Sequence, residues 1–173
     1  MDLSTYEQAR PWAEAIKEEV LERRMPPWSA LKGFGEFRED ESLTEEEMAI
    51  ISGWAEGGAP QGDPSLLSAK PEIRQERRGD RKTSRTLHMT GDLKLKQAVT
   101  IAAIRPDKFP EGVSIRLIAE NPDGTVEPLI WLYKYAPRFG RTYSFKVPLR
   151  FRAGTLFRME PPIGSVSLLL TQD

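Results

Sequence analysis

The sequence predicts an α+β protein made of two domains, a small helical unit followed by an antiparallel β-sandwich. Apolar residues recur at four-residue spacing in the first part, at Trp12, Ile16 and Val20, and at two-residue spacing from Leu87 onward. Between these regions Pro60, Gly62, Pro64 and Pro71 interrupt any regular element, and a basic run follows. Charge divides the same way. Residues 1–66 carry 15 acidic and 6 basic side chains, a net −9, whereas residues 67–173 carry 19 basic and 11 acidic, a net +8. The expected boundaries are therefore 1–66 for the helical domain, 67–86 for a basic linker and 87–173 for the sandwich.

Thr5 followed by Gln8 forms a capping box that opens the first helix, with Ala9 and Ala13 widening the stripe of Trp12, Ile16 and Val20. Pro11 lies inside this pattern and predicts a break near Arg10, because proline has no N–H to donate and opens helices more readily than it continues them. Pro26-Pro27 ends the run. A second helix is announced by Thr44 as N-cap, Glu47 three residues on, and Leu43 placed to staple against Met48. Ile50, Ile51 and Trp54 are its expected buried side, and Gly57-Gly58 stops it. Ser29 to Ser42 is expected as a loop.

In the second part Leu93, Leu95, Val99, Ile101 and Ala103 alternate with mostly polar residues, as do Val113, Ile115, Leu117 and Ala119. Asn121-Pro122-Asp123-Gly124 is a turn, since proline presets one dihedral and glycine supplies the positive one. Further strands are expected over Val126 to Tyr133, Arg141 to Val147, Leu156 to Met159 and Ser165 to Thr171. With no helix-length run between them, an antiparallel sandwich or barrel follows.

The chain of 173 residues has no cysteine, so disulfides, zinc–thiolate sites and iron–sulfur clusters have no ligands here. No window approaches the roughly 20 apolar residues that span a bilayer as a helix. The opening, with Asp2 and Glu7, does not have the basic-then-apolar form of a signal peptide.

Arg24-Met25-Pro26-Pro27-Trp28, preceded by the Trp12 helix and followed by Trp54-Ala55-Glu56-Gly57-Gly58-Ala59-Pro60-Gln61-Gly62-Asp63-Pro64, resembles the distal part of bacterial single-haem cytochrome c modules. That resemblance implies a periplasmic setting and places Met25 at the position of the second axial haem ligand. Covalent haem attachment needs Cys-x-x-Cys-His, which this sequence does not contain, so the expected first domain is a cytochrome c-like remnant without bound haem. Pro122-Asp123-Gly124, Pro128-Leu129-Ile130-Trp131, Tyr135, Tyr143, Pro148 and Ala153-Gly154-Thr155 resemble a segment of the β-sandwiches fused to such modules, some of them similar to copper type II, ascorbate-dependent monooxygenases. That family binds copper through several histidines and a methionine, whereas His88 is the single histidine here.

These readings make the chain a non-catalytic structural subunit of a larger periplasmic or membrane-bound electron-transfer assembly, respiratory or photosynthetic. Its expected cofactor is none, with haem c on Met25 as the alternative and a copper monooxygenase-like enzyme as the next. His88 stands as a lone ligand, a titrating switch or an ordinary loop residue. The basic run Arg74, Arg77, Arg78, Arg81, Lys82 and Arg85 fits an acidic protein face or lipid headgroups. It lacks the interleaved aromatics that single-stranded nucleic acids stack on, which argues against nucleic acid as partner.

Overall fold

A computed structural model describes residues 3–66 and 83–171. The chain divides into two compact units. One comprises Met1–Pro26 and Leu43–Gly79, the other Pro27–Ser42 and Asp80–Asp173.

The strand unit holds eight strands: β1 (Thr83–Met89), β2 (Leu93–Lys94), β3 (Val99–Lys108), β4 (Ile115–Glu120), β5 (Val126–Leu132), β6 (Tyr143–Phe151), β7 (Leu156–Glu160) and β8 (Ser165–Thr171). They form two four-stranded antiparallel sheets, ordered β1-β8-β3-β6 and β2-β7-β4-β5. The two-residue alternation decides what each face does: Ile115, Leu117 and Ala119 are buried while Arg116 is exposed between them, and Val166, Leu168 and Leu170 repeat the pattern in β8. Both sheets contribute to one apolar core. Phe151 of β6 meets Phe157 of β7 edge to face, with ring centroids 5.1 Å apart, an arrangement the aromatic quadrupole favours. Each such fully buried side chain contributes about 1.5–3 kcal/mol relative to exposure.

Residues 27–42 belong to this unit, as a strap along two sheet edges. Leu31 N–H donates to Trp131 O and Tyr133 N–H to Ser29 O, each at 2.8 Å, so the strap extends the edge of β5. Five residues later it meets the edge of β6: Arg38 N–H donates to Ser144 O, Lys146 N–H to Glu36 O, and Phe37 stacks on Phe145 at 5.2 Å. The contact falls where β6 leaves β3, the pairing stepping from Leu149 opposite Ile101 to Ser144 opposite Ala103. Gly35 makes the path possible, with φ +80° and a hypothetical Cβ 2.3 Å from Leu129 O.

The helical unit contains α1 (Tyr6–Ala9), a 3₁₀ turn at Arg10–Trp12, α2 (Ala13–Leu21) and α3 (Glu45–Glu56). Both capping boxes form, Thr5 with Gln8 and Thr44 with Glu47, and Pro11 sits in the 3₁₀ turn that separates α1 from α2. Arg23, with φ +55°, turns the chain after α2, and the Arg24 and Met25 N–H groups both donate to Glu19 O. α2 lies against α3, and their buried contact consists of Ala13, Ala55 and Ala59 with Trp54 packed against it.

The α+β expectation of a helical cytochrome c-like domain plus a β-sandwich is thereby corrected. The described chain is mostly β, in two antiparallel four-stranded sheets, and its helices are short segments, the longest of 12 residues. Two physical reasons account for the difference. The helical segments bury little beyond three alanines, Val20 and Met48, too little apolar surface for a domain core. The large residues between them, Trp28 and Phe37, fill the core of the strands instead. Arg85 also leaves the expected linker, since β1 begins at Thr83.

Candidate functional site

Three strands place a polar row on the face of the first sheet. His88 of β1 lies opposite Ser167 of β8, and Ser167 opposite Arg105 of β3, with Asp107 two residues along. Ser167 Oγ donates to Asp107 Oδ2 at 2.6 Å. A hydroxyl has one proton. Because that proton goes to the carboxylate, the 2.9 Å contact with His88 is made by Nδ1–H donating to Ser167 Oγ. The Arg105 guanidinium donates to Asp107 Oδ1 at 3.2 Å and to Ser167 Oγ at 3.4 Å.

This constellation contains serine, histidine and aspartate in an order unlike a hydrolytic triad. A triad needs histidine between the other two, so that it draws the serine proton toward itself. Here serine occupies the middle, is fully buried, and gives its proton to the carboxylate. The row ties three strands together and presents no nucleophile. His88 is thus a strand residue held through Nδ1. Sequence reasoning passed over Ser167, Asp107 and Arg105 because only the strand register brings them together.

Beneath the strap lies an aromatic cluster. Trp28 meets Tyr143 at 5.1 Å and Phe37 at 6.2 Å, and the Arg141 guanidinium covers Trp28 while pairing with Glu41 at 2.9 Å. Burial pushes the Tyr143 hydroxyl up to about 12, reinforced by the neighbouring Tyr135 and opposed by hydrogen bonds with Ser29. Burial also raises Tyr135, with the Asp107 charge adding to it. Trp28 Nε1 is buried without a hydrogen-bond partner among the described residues. Both tyrosines are held neutral, which suits packing and denies them a role as ionised bases near neutral pH.

Met25 follows α2 and is 48% exposed. His88 belongs to the strand unit, not to the unit that holds Met25. The buried apolar side chains of the helical unit are Ala13, Val20, Met48, Ala55 and Ala59, with Trp54 packed against the alanines. Arg74, Arg77, Arg78, Arg81 and Lys82 lie outside the described residues; Arg85 is exposed on β1. Among the described residues no three His, Asp or Glu side chains converge as metal ligands, and no helix is long and apolar enough to cross a membrane.

What the helical unit does display is an apolar exterior. Trp12 is 46% exposed, Leu21 53% and Ile50 64%. Ile50 was an expected core residue, but α3 turns Met48 and Ala55 inward instead. Alanines at the crossing let the two helices approach, and the larger side chains are left outside. Around them stand Glu14, Glu18 and Glu19 of α2 and Glu45, Glu46 and Glu47 of α3. Lys17 is engaged by Glu14 at 2.9 Å and Glu56 at 3.5 Å, and those carboxylates hold its ammonium group above the usual range.

The class that fold and site define is a two-sheet antiparallel β protein with an appended acidic helical unit. No family model matches the chain, and no curated protein or solved structure matches it.

Proposed function

We propose that the chain is a non-catalytic interaction subunit whose helical unit docks, through an acidic surface set with apolar anchors, onto a basic partner in a larger assembly. The observation that carries this reading is a partial inversion of the helical unit: alanines line the helix crossing, while Trp12, Leu21, Met25 and Ile50 are exposed. Exposed large apolar residues offer contacts to a partner, and tryptophan is among the residues that anchor interfaces. The partner's chemistry follows from charge: residues 3–26 and 43–66 carry 10 acidic and 4 basic side chains, so the complementary surface is cationic. The order of motifs from Trp12 to Pro64, similar to that of cytochrome c modules, supports a periplasmic electron-transfer assembly as the setting.

Site-specific photo-crosslinkers at the exposed neighbours Ala15 and Ala49, introduced into the natively expressed protein, test this. A single cross-linked species of defined mass that disappears in Trp12→Ser/Ile50→Ser is the expected result. Recovery of the native protein solely as a free monomer, with no cross-link at either position, overturns the reading.

A further inference from the structure

One end of the strand unit is built from three loops, residues 109–114 between β3 and β4, 133–142 between β5 and β6, and 161–164 between β7 and β8. They share an end because β5 and β7 both run antiparallel to β4. Contacts join them: Gly112 N–H donates to Tyr135 O, Tyr135 N–H to Val113 O, and the Phe109 ring meets Tyr135 edge to face at 5.8 Å. Gly164, at φ +79°, lies so close to Phe109 that a Cβ there would fall 2.4 Å from the ring. Phe109 and Tyr135 are buried as the common base of the three loops.

Beyond that base the loops turn outward with apolar tips. Phe139 is 39% exposed and Ile163 40%, and Pro110, Pro137, Pro161 and Pro162 are exposed beside them. Lys134 and Arg138 are exposed within the loops and Lys108 beside them; Glu111 is the one acidic residue within the three loops, with Asp107 and Glu160 adjoining them, paired to Arg105 and Arg116. The Arg138 guanidinium lies over the Phe139 ring at 4.9 Å and the Lys134 ammonium over Tyr133 at 5.5 Å, so each cation stands next to an aromatic.

We propose that this end of the strand unit docks on the headgroup region of an anionic lipid bilayer, with Phe139 and Ile163 entering the interface and Lys108, Lys134 and Arg138 meeting the headgroup phosphates. Aromatic and aliphatic tips ringed by cations match a layer that is apolar below and negatively charged above. The backbone favours lipid over a protein partner. Four prolines supply no N–H, and the Phe139, Gly140 and Ile163 N–H groups donate to Ala136 O, Pro137 O and Pro161 O within their own loops. Loop backbone that meets its own hydrogen-bonding needs can enter a water-poor layer, whereas strand-type docking of a protein partner needs free donors and acceptors. This surface lies in the strand unit and stands independently of the role proposed for the helical unit.

Co-sedimentation of the full chain with vesicles of phosphatidylcholine and phosphatidylglycerol, against phosphatidylcholine alone, tests it. Binding to the anionic vesicles is expected, falling about fivefold for each cation replaced by glutamine and about tenfold in Phe139→Ala. Phe139 is a surface residue, and an unchanged thermal midpoint in that variant separates lost binding from lost fold. No binding to anionic vesicles overturns the proposal. Equal binding of soluble polyglutamate, with Phe139→Ala unaffected, also overturns it and identifies an acidic protein as the partner of this end.

Discussion

The two units of this chain solve the problem of burial in opposite ways. The strand unit places Phe145, Phe151, Phe157, Met159 and Leu168 inside, each 2% exposed or less. The helical unit lines its helix crossing with alanines and leaves Trp12, Leu21 and Ile50 at the surface. One unit buries its large apolar side chains, while the other leaves several of them in water.

The sharpest way to break this contrast is to remove a core ring. Phe157→Ala is expected to destabilise the strand unit by about 3–5 kcal/mol, read as the urea midpoint; a loss below 1 kcal/mol would mean that the two sheets do not share a tight core. Alkaline pH should give the next largest effect. Tyr143 titrates at about 12 in the fold against about 10 unfolded. The folded state keeps a proton that the unfolded chain gives up, so this stabilisation is complete below pH 10 and is lost as pH rises toward 12. The loss amounts to about 2–3 kcal/mol. Tyr143→Phe should flatten the slope in a pH series of urea melts, and tyrosinate absorbance should follow unfolding in the parent protein.

Gly35→Ala should cost about 2 kcal/mol, from a positive φ and a clash with Leu129 O. Thermal melts would show the strap loosening from β5. In the helical unit Thr44→Ala should cost about 1 kcal/mol by opening the capping box, and amide exchange in α3 would report it without change in the strands. Smallest of all, Ile50→Ser should leave stability within about 0.5 kcal/mol, because the residue is already in water. A large loss there would mean that Ile50 is core and the inversion is wrong.

Local chemistry was legible in the sequence wherever the cause was itself local. Thr5 with Gln8 and Thr44 with Glu47 cap as expected because each box closes within four residues. Ser165–Thr171 forms the expected strand, and Leu156–Glu160 extends the expected one by a residue. Non-local features were not legible. Nothing in residues 29–42 announces a strap, because its partners stand about a hundred residues later in β5 and β6. The polar row of His88, Ser167, Arg105 and Asp107 exists only through strand register. The stripe of Trp12, Ile16 and Val20 was correct as periodicity, yet only Val20 is buried. Periodicity marks a face without saying what covers it.

The strap also sets a timetable for biosynthesis. Phe37 leaves the ribosome long before Phe145, on which it stacks, and at translation rates of about 5–20 residues per second that interval is on the order of ten seconds. During it the strap first finds Trp131 of β5, against which Phe34 packs, and the seam closes at Phe37 only when β6 emerges.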